Sequence, residues 1–536
     1  MKAMKRSLWL LSLAFGLGLA ASCGDSGGDG ADGTDEAEGE CVVGSAGCPC
    51  TPGGGCDPGL ECWMDLCIPE GTGGETTTGD GDTTTGDGDT TTTGDTTTGD
   101  GDTTTGDGDT TTTTGDGDTT TTGDGDTTTG DGDDTTTTTG GGTPDEVVEV
   151  SSGRFHTCAR MGDGAVRCWG QGSNGATGYA STDSIGDNEP ASAAGEVDIG
   201  GDAIDIDAGY THTCAVLEGG DVVCWGANGS GQLGYGNTDT IGDNETPASA
   251  GTVDLGGPAI SVGAGNEYTC AVLEGGAVRC WGLGTLGRLG YANTDTIGDD
   301  ESPASAGDVD VGGNALTFSA GFDHGCAMLE GGGVRCWGRG EDGRLGYANQ
   351  DNIGDDETPA SAGDVDVGGS AQVVSVGAFH SCALLQGGDV RCWGNAGFGK
   401  LGYANANDIG DNEAPASAGP VNLGGDAVHL DLGGQHTCAV LQGGGARCWG
   451  IGSNGRLGYA NTQVVGDNET PADVGDIVVG ADVFQISGGY EHTCAVTTMG
   501  TVRCWGKGAS GRLGYGEITD VGDGENPAVK GDVPLL

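Results

Sequence analysis

The sequence predicts an all-β fold, a seven-bladed β-propeller, over residues 146–536 of the 536-residue chain. The tripeptide Cys-Trp-Gly occurs seven times in this region, at a constant step of 56 residues. One unit holds four short strand candidates between glycine-rich turns, at 309–311, 315–319, 325–329 and 333–337. Four strands in each unit and seven units are typical of a β-propeller, whereas a solenoid has no preferred count and needs atypical capping repeats.

The two ends of the repeat region indicate how the ring closes. The first unit begins at Val147 without the strand that precedes every later unit, and residues 532–536 match that missing strand. We therefore expect the C-terminal strand to complete the sheet that begins at Val147. Such closure removes exposed sheet edges and favours a monomeric ring.

Composition excludes several classes of protein. Lys and Arg number 19 against 81 Asp and Glu, which gives a formal net charge of -62. A mean field of this sign repels phosphates and anionic lipids, so nucleic-acid binding and a polybasic membrane patch are both excluded. The 117 glycines argue against a large helical core.

The N-terminus has the pattern of an export signal. Residues 1–22 combine a short basic segment with an apolar stretch, which is typical of a secretory signal peptide. The junction LAASC at 19–23 resembles a bacterial lipobox, with Ala20 where Leu is usual, and this resemblance implies a lipid on Cys23. Because Gly24 follows instead of Asp, the same resemblance implies an outer-membrane or cell-surface location. Ordinary cleavage that leaves Cys23 unmodified is the alternative.

Three segments separate this signal from the repeats. Residues 23–40 are rich in Gly, Asp and Glu and are predicted to be a disordered tether. Residues 41–70 are a small cysteine-rich segment, for which an oxidising compartment favours disulfides and a zinc knuckle is the alternative. Residues 71–145 are Thr/Gly/Asp repeats without Lys or Arg, which predict an extended stalk. The cysteines of the small segment, whose pairing the sequence leaves open, are Cys41, Cys48, Cys50, Cys56, Cys62 and Cys67.

The stalk leaves two questions of chemistry. Its Thr runs dilute the acidic residues, so an ordered calcium site, which needs six to eight oxygens held together, is not expected there. Glycosylation of the Thr tracts stays open.

Each repeat carries a second cysteine ten residues before its Cys-Trp-Gly motif. A short hairpin between the two places them opposite each other, about 4.5–5.5 Å apart between Cα atoms, which suits a disulfide. Buried free thiols are the alternative. The predicted pairs are Cys158–Cys168, Cys214–Cys224, Cys270–Cys280, Cys326–Cys336, Cys382–Cys392, Cys438–Cys448 and Cys494–Cys504.

A histidine stands two residues before the first of these cysteines in six units, and Tyr268 replaces it in the third. The repetition favours a packing role over a catalytic thiolate or a His/Cys metal site, since a nucleophile needs a lowered pKa and a nearby base. The histidines are His156, His212, His324, His380, His436 and His492.

An acidic loop, Gly-Asp-x-Glu, follows in every unit, and ring closure would place its seven copies at equivalent positions. Three interpretations stay open: the carboxylates cap turns by accepting backbone N–H bonds, they bind calcium, or they attract a basic partner. The pairs are Asp187/Glu189, Asp243/Glu245, Asp299/Glu301, Asp355/Glu357, Asp411/Glu413, Asp467/Glu469 and Asp523/Glu525.

Two further series recur at the 56-residue step. A basic residue before Leu-Gly-Tyr is expected to form a salt bridge with a neighbouring loop carboxylate, the alternative being a ligand-clamping ring that Ala176 and Gln232 interrupt. The motif tryptophans are expected to form the core between sheets. The basic residues are Arg288, Arg344, Lys400, Arg456 and Arg512, and the tryptophans are Trp169, Trp225, Trp281, Trp337, Trp393, Trp449 and Trp505.

The combination of these motifs resembles a known repeat. Stretches such as GYTHTCAVLEGGDVVCWGANGSGQLGYGN at 209–237 resemble the RCC1 repeat, with its Gly, its His-Thr, its hairpin, its Trp-Gly and its Gly-Gln-Leu-Gly. The resemblance implies a seven-bladed propeller. It does not fix the function, because the family includes nucleotide-exchange factors, enzyme inhibitors and interaction platforms.

The predicted function is a non-catalytic, lipid-anchored cell-envelope protein whose propeller binds a protein or a glycan. No catalytic residue is assigned, and no cofactor apart from calcium. Departures from the repeat, at Ala176, Gln232, Tyr268 and Asn407, look scattered. One alternative is an extracytoplasmic hydrolase or lyase with unique residues over the central channel, and another is a calcium-binding structural protein of the surface. Guanine-nucleotide exchange is not favoured, since an exported protein meets no cytosolic GTPase.

Overall fold

The computed structural model describes residues 60–63, 66–69 and 144–536, and the chain divides into two compact units, 1–127 and 128–536. The predicted signal peptide, Cys23, the tether, and most of the cysteine-rich segment and of the stalk lie outside the described residues. In the first unit, β1 (Leu60–Trp63) and β2 (Leu66–Pro69) pair antiparallel, and the backbone register places Cys62 opposite Cys67.

The second unit consists of seven three-stranded antiparallel sheets, each with an inner, a middle and an outer strand in chain order. Sheets 1 to 7 are numbered along the chain. Their strands are β3 (Val147–Ser152), β4 (His156–Met161), β5 (Val166–Gly170); β6 (Ala203–Ala208), β7 (His212–Leu217), β8 (Val222–Gly226); β9 (Ala259–Ala264), β10 (Tyr268–Leu273), β11 (Val278–Gly282); β12 (Ala315–Ala320), β13 (His324–Leu329), β14 (Val334–Gly338); β15 (Ala371–Val376), β16 (His380–Leu385), β17 (Val390–Gly394); β18 (Ala427–Leu432), β19 (His436–Leu441), β20 (Ala446–Gly450); β21 (Val483–Gly488), β22 (His492–Thr497) and β23 (Val502–Gly506).

Short helices occur in the connections that follow the outer strands. The α-helices are α1 (Pro247–Ala250), α2 (Pro303–Ala306), α3 (Pro359–Ala362), α4 (Pro471–Val474) and α5 (Pro527–Lys530). The 3-10 turns are Ser173–Gly175, Ala191–Ala194, Thr285–Gly287, Glu341–Gly343, Gly397–Gly399, Pro415–Ala418, Ser453–Gly455 and Ala509–Gly511. Among the described residues, no helix is long and apolar enough to cross a lipid bilayer.

The hairpin between middle and outer strand sets the register of each sheet. In sheet 3, Gly275 and Gly276 turn the chain with φ angles of 89° and 85°, in the left-handed region that glycine favours. This turn places Cys270 opposite Cys280, and the two form a disulfide. The same bond occurs in all seven sheets, which confirms the predicted pairs.

The prediction of a fourth strand per unit is wrong. The segment that begins at Val309 makes one ladder hydrogen bond, from its N–H to the carbonyl of Val278 at 2.8 Å, and that carbonyl belongs to the preceding sheet. The N–H of Val311 then donates back to the carbonyl of Val309 at 3.0 Å, so the chain curls before a second ladder bond forms. Both valine side chains are nevertheless buried, and they cover the outer strand.

The chain ends close the ring, as predicted, but through a different sheet. The N–H of Val147 donates to the carbonyl of Gly500 in the last hairpin at 2.9 Å. The N–H of Val533 donates to Val502 at 2.7 Å, so the C-terminal segment extends sheet 7, whereas the sequence analysis assigned it to sheet 1. The carbonyl of Pro534 accepts a hydrogen bond from the N–H of Ser192 at 2.9 Å, which links this segment to the connection that follows sheet 1.

Neighbouring sheets are joined by buried side chains. The seven motif tryptophans are 0% exposed, as predicted. The indole N–H of Trp225, for example, donates to the carbonyl of Ala176 at 3.1 Å, across the boundary between sheets 1 and 2. These tryptophans therefore belong to the core between sheets.

The histidines form a second set of bonds between sheets. His212 Nε2 lies 2.8 Å from the hydroxyl oxygen of Thr269 in the next sheet. That hydroxyl donates its hydrogen to the carbonyl of Gln232, so its oxygen accepts and the histidine carries its proton on Nε2. Burial lowers the pKa of His212 to about 3. The pairs are His156–Thr213, His212–Thr269, His324–Ser381, His380–Thr437, His436–Thr493 and His492–Thr157.

The junction between sheets 3 and 4 has no such pair, and it explains why Tyr268 replaces the histidine. The residue that would offer the hydroxyl in sheet 4 is Gly325, so a histidine in sheet 3 would have no partner there. Tyr268 instead donates its own hydroxyl to the carbonyl of His324 at 2.6 Å. The sequence predicted a packing role for the histidines and Tyr268. The structure adds a specific hydrogen bond between sheets, which the sequence analysis did not predict.

Candidate functional site: the central channel and its two mouths

The seven inner strands surround a central channel. One end of the channel opens between the turns that join inner and middle strands, and we call this end the loop face. The other end opens beside the hairpins that join middle and outer strands, and we call it the hairpin face. Because antiparallel strands place successive connections at opposite ends, every sheet contributes the same connection to the same face.

The side chains on the channel wall differ from sheet to sheet, unlike the constant frame around them. Two positions of the inner strand provide them. From sheet 1 to sheet 7, the position near the hairpin face carries Glu149, Asp205, Ser261, Thr317, Val373, His429 and Gln485. The position in the middle of the channel carries Ser151, Asp207, Gly263, Ser319, Ser375, Asp431 and Ser487.

These side chains hold neighbouring inner strands together. An inner strand has N–H groups on its channel side that no other strand of its sheet accepts, and a buried N–H needs an acceptor. Asp207 accepts from the N–H of Ala264 in the next sheet at 2.7 Å, and from the hydroxyl of Ser151 at 2.9 Å. Asp431 likewise accepts from the N–H of Gly488 at 2.8 Å. The carboxylates therefore have a structural role in the channel.

Burial leaves these carboxylates difficult to ionise. Desolvation raises the pKa of Asp207 to about 7, although the N–H of Ala264 opposes the shift. It also raises the pKa of Asp431. Near the hairpin face, burial and the neighbouring carboxylate raise the pKa of Asp205, and burial raises the pKa of Glu149 in spite of Arg160, whose Nε lies 2.7 Å from its Oε2. The channel thus concentrates carboxyl groups whose ionised form a nearby cation would favour.

The hairpin-face mouth combines this acidic wall with an apolar rim. Here a cavity of about 460 Å³ is lined by residues from sheets 1, 2, 6 and 7. The polar lining residues are Glu149, Arg160, Asp205, His429 and Gln485, and the apolar ones are Val148, Ile204, Val428 and Phe484.

The loop-face mouth carries aromatic side chains and one arginine. Tyr210 packs edge-on against Phe322 and Tyr490, with ring centroids 4.9 and 5.5 Å apart, so side chains of sheets 2, 4 and 7 meet across the channel axis. The Arg154 guanidinium lies 4.4 Å from the ring centroid of Phe155 and 5.5 Å from that of Tyr490. Half-buried Tyr and Arg at one spot are the residue types that dominate binding energy in protein interfaces.

The basic series lies buried beneath this mouth. Arg288 pairs with Asp323 at 2.8 Å, and Glu491 lies within 3.6 Å of Arg456 and 3.5 Å of Arg512, so the predicted salt bridges form at these positions. The partners lie in the turns between inner and middle strands and not in the acidic loops.

Where an aromatic residue replaces the acid in that turn, the cation contacts a ring. Phe379 lies under both Arg344 and Lys400, each 5.5 Å from the ring centroid. Lys400 departs from the predicted salt bridge, because its Nζ donates to the side-chain oxygen of Asn395 at 2.7 Å. These cations are 1–4% exposed, so they support the loop face and do not form a free clamp for a ligand.

The acidic loops lie at the loop face, because the residue before each one bridges to the end of an outer strand, as Ile185 does to Gly170. In some copies the glutamate caps its turn, as one of the sequence interpretations expects. Glu189, for example, accepts a hydrogen bond from the N–H of Gly186 at 3.3 Å.

Two of the seven loops bring three carboxylates together. The carboxylate oxygens of residues 299–301 lie within 4.8 Å of one another, as do those of residues 355–357. Burial and the adjacent aspartates raise the pKa of Glu357 to about 7. In the other copies the residue between Asp and Glu is Asn or Gly, so only two carboxylates remain.

The last loop departs from the expectation of seven equivalent copies. Gly524 stands between Asp523 and Glu525, so no third carboxylate is present, and this loop is not among the described groups that could hold a metal ion. Within residues 144–536, the Glu525 side chain also forms no salt bridge and caps no turn, in contrast to Glu189. In its number of carboxylates this loop resembles the four that have Asn between Asp and Glu, and calcium binding, turn capping and partner binding at Asp523 and Glu525 stay predictions.

Sequence reasoning missed the residues of the channel. The four departures that the sequence analysis named do not line the channel, whereas a further set of variable residues, on the channel wall and at its two mouths, surrounds the axis of the ring. The signal lay in the repeat itself: aligned at the 56-residue step, the frame is constant while the channel-facing positions of the inner strand vary. Recognising them needs the knowledge that these positions face one another.

Comparisons with known proteins agree with this architecture. A profile of the RCC1-like domain matches residues 187–529, and a profile of the Regulator of chromosome condensation (RCC1) repeat matches residues 147–176. The chain is 30% identical to the Ultraviolet-B receptor UVR8 of Arabidopsis thaliana over 318 residues, which are 59% of this chain and 67% of the receptor.

Two further similarities are more limited. The E3 ubiquitin-protein ligase HERC2 of Mus musculus is 27% identical over 249 residues, which are 46% of this chain but 5% of the ligase. The structure of yeast RCC1 (Prp20) bound to Kap60 superposes with a TM-score of 0.51 at 17% identity, covering 64% of this chain and 78% of that one. At this identity the similarity shows the fold alone.

Proposed function

The chain belongs to the RCC1-like domain family, and from this premise we propose that its propeller is a non-catalytic platform for recognising a protein partner at the ends of the central channel. The observation that carries the proposal is the distribution of variable side chains. The frame repeats seven times, whereas the side chains of the channel wall and of its mouths differ from sheet to sheet. Side chains that vary between otherwise identical units can give the surface a specificity that the constant frame lacks.

The loop-face mouth is the first surface that we assign to a partner. Tyr210, Phe322 and Tyr490 present large rings whose positions are fixed by mutual contacts, so little conformational entropy is lost on binding. Arg154 beside them adds a donor for carbonyl or carboxylate groups of the partner.

The test is capture of a partner by the full chain after cross-linking in cell-envelope extract. We expect Tyr210→Ala combined with Phe322→Ala to abolish the captured band, and Phe398→Ser, which removes a ring that is 52% exposed elsewhere on a loop, to leave it unchanged. Tryptophan fluorescence checks that each variant folds. Equal capture by the double variant and the wild type overturns the assignment of this mouth.

We place the platform outside the cytoplasm, anchored by a lipid on Cys23. Support comes from the LAASC junction and from the disulfides, which persist in oxidising compartments. Cys23→Ser should release the protein from the membrane fraction and should abolish incorporation of a labelled fatty acid. A Cys23→Ser protein that stays with the membrane contradicts the anchor.

An enzyme is the first alternative, because unique carboxyl groups with raised pKa values do gather in the channel. Their arrangement favours binding. Asp205 and Asp207 accept backbone N–H bonds from the next sheet, and Glu149 pairs with Arg160, so each of these carboxyl groups already has a structural partner. Hydrolysis of a panel of glycosides that disappears in Asp205→Asn would reverse this preference.

A calcium-stabilised surface protein is the second alternative, and the two carboxylate triads favour it. One oxygen of Glu357 is buried and has no hydrogen-bond partner among the described residues. Calcium at about 1 mM should then raise the melting temperature, and Asp356→Asn should reduce the rise. An unchanged melting temperature excludes this function.

A further inference from the structure

The hairpin-face mouth leads to more carboxyl groups than basic ones. Glu149 and Asp205 line the mouth, and Asp207 and Asp431 lie behind them in the middle of the channel. Among the described residues, the pair of Glu149 with Arg160 is the one salt bridge that these four make. The remaining carboxyl groups are held by backbone N–H and hydroxyl donors, which orient them without balancing their charge.

The rim around these groups is apolar and exposed. One equivalent position, the second residue of the inner strand, carries Ile204, Ile260, Leu316, Val428 and Phe484 in five sheets, with side chains 42–60% exposed. Val148 takes this position in sheet 1, and Gln372 takes it in sheet 5. Exposed apolar residues that gather at one place mark a surface that another molecule covers.

We propose that the hairpin-face mouth receives a Lys or Arg side chain of a partner protein, with apolar residues on either side of that basic residue covering the rim. The inference rests on the proposed protein-binding function and names the chemistry of the partner at a second surface. The basic head reaches the carboxyl groups of Glu149 and Asp205, while its hydrocarbon stem lies against Phe484 and Val428. A cavity of about 460 Å³ has room for either side chain.

Charge favours a basic side chain of a partner over a second copy of the chain or the chain's own acidic segment. A second copy of the chain would bring two acidic mouths together, and each chain carries a formal net charge of -62. The chain's own segment 71–143 holds 17 acidic residues and no Lys or Arg, so it is repelled as well. A bare divalent cation would leave the apolar rim uncovered. A basic residue within an apolar segment satisfies the wall and the rim together.

The site also predicts how affinity changes with pH. A bound cation favours the ionised form of nearby carboxyl groups, so binding releases protons and strengthens as pH rises from about 5 to about 8. Burial lowers the pKa of His429 and so favours its neutral form, although the nearby Asp431 opposes the shift. The titratable and charged groups that face the site are Glu149, Asp205, Asp207, Asp431, His429 and Arg160.

The experiment uses two fluorescent peptides and the full chain. One peptide is Gly-Leu-Lys-Leu-Gly, and the other has norleucine, the uncharged analogue, in place of Lys. Fluorescence polarisation is measured in about 0.15 M salt, where attraction beyond about 8 Å is screened. Asp205→Asn and Phe484→Ser change the site. Asp183→Asn removes the same charge from an exposed loop, and Ile518→Ser removes an apolar side chain that is 60% exposed, like that of Phe484.

We expect the Lys peptide to bind the wild type roughly tenfold more tightly than the norleucine peptide, a difference of about 1.4 kcal/mol. Asp205→Asn should abolish this preference, Phe484→Ser should weaken both peptides, and the two controls should match the wild type. Equal binding of the two peptides, no binding of either, or the same loss in Asp183→Asn overturns the inference. Because Phe484 is exposed, its variant keeps the test valid even if Asp205→Asn is unstable.

Failure here is distinguishable from failure of the proposed function. Capture that depends on Tyr210 and Phe322 tests the loop-face mouth, and it does not involve the carboxyl groups of the hairpin face. Loss of peptide preference with intact capture overturns this inference alone. Loss of capture with intact peptide preference overturns the loop-face assignment alone.

Discussion

Asp207 provides a quantitative test of the channel chemistry. Its folded-state pKa is about 7, against an ordinary value of 3.8, because burial disfavours its charge. The folded protein therefore binds a proton that the unfolded chain has released, between about pH 4 and pH 7, and stability falls as pH rises through that window. At about 1.4 kcal/mol per pH unit, this group alone lowers the free energy of unfolding by roughly 2–3 kcal/mol between pH 5 and pH 8.

Asp207→Asn removes this proton and keeps an oxygen for the N–H of Ala264. We expect the difference in free energy of unfolding, variant minus wild type, to rise by about 2–3 kcal/mol between about pH 5 and pH 8. Urea unfolding followed by tryptophan fluorescence measures it, with the disulfides kept intact. The buried histidines contribute equally to both proteins and cancel in the comparison. Asp183→Asn, at an exposed position outside the carboxylate clusters, is the control and should parallel the wild type. Parallel pH profiles of wild type and Asp207→Asn would refute the reasoning.

Three further predictions concern the frame. Thr269→Val removes the partner of His212 between two sheets, and the free energy of unfolding should fall by about 1–2 kcal/mol; an unchanged urea midpoint would argue against the bond. Gly276→Ala should destabilise more than Gly275→Ala, because both have positive φ but only at Gly276 does a new Cβ meet another atom, the Cβ of Asn314 at 2.5 Å; equal melting temperatures contradict this. Alkylation without reductant should label none of the fourteen propeller cysteines, and labelling of all of them would exclude the disulfides.

The frame was predictable from the sequence because repetition amplifies it. A Cys-Trp-Gly motif or a histidine that returns at every 56-residue step stands out, and its role follows from hairpin geometry or from burial. The disulfide Cys270–Cys280 needs only the register of one hairpin, which local spacing determines. The same holds for the tryptophans, whose constant surroundings indicate a buried position.

The channel was not predictable by the same means, because its residues are those that do not repeat. Asp205 accepts a hydrogen bond from the N–H of Val262 and lies beside Glu149. Both contacts depend on which strands become neighbours in the closed ring. The predicted fourth strand failed for a local reason: after Val309 the backbone folds back on itself before a ladder forms. The alternation of apolar and polar residues in this segment does not reveal that bend.

The bond from Val147 to Gly500 has the same geometry as those within the chain, such as that from Ala203 to Gly164. In this backbone hydrogen bond, the seam between the termini matches the other six seams. Recombination that deletes or duplicates one whole repeat would keep every seam in register, yet it would alter the wedge angle that each sheet must fill. The number of repeats is therefore fixed by the geometry of the circle, while the wall of the channel remains free to diversify.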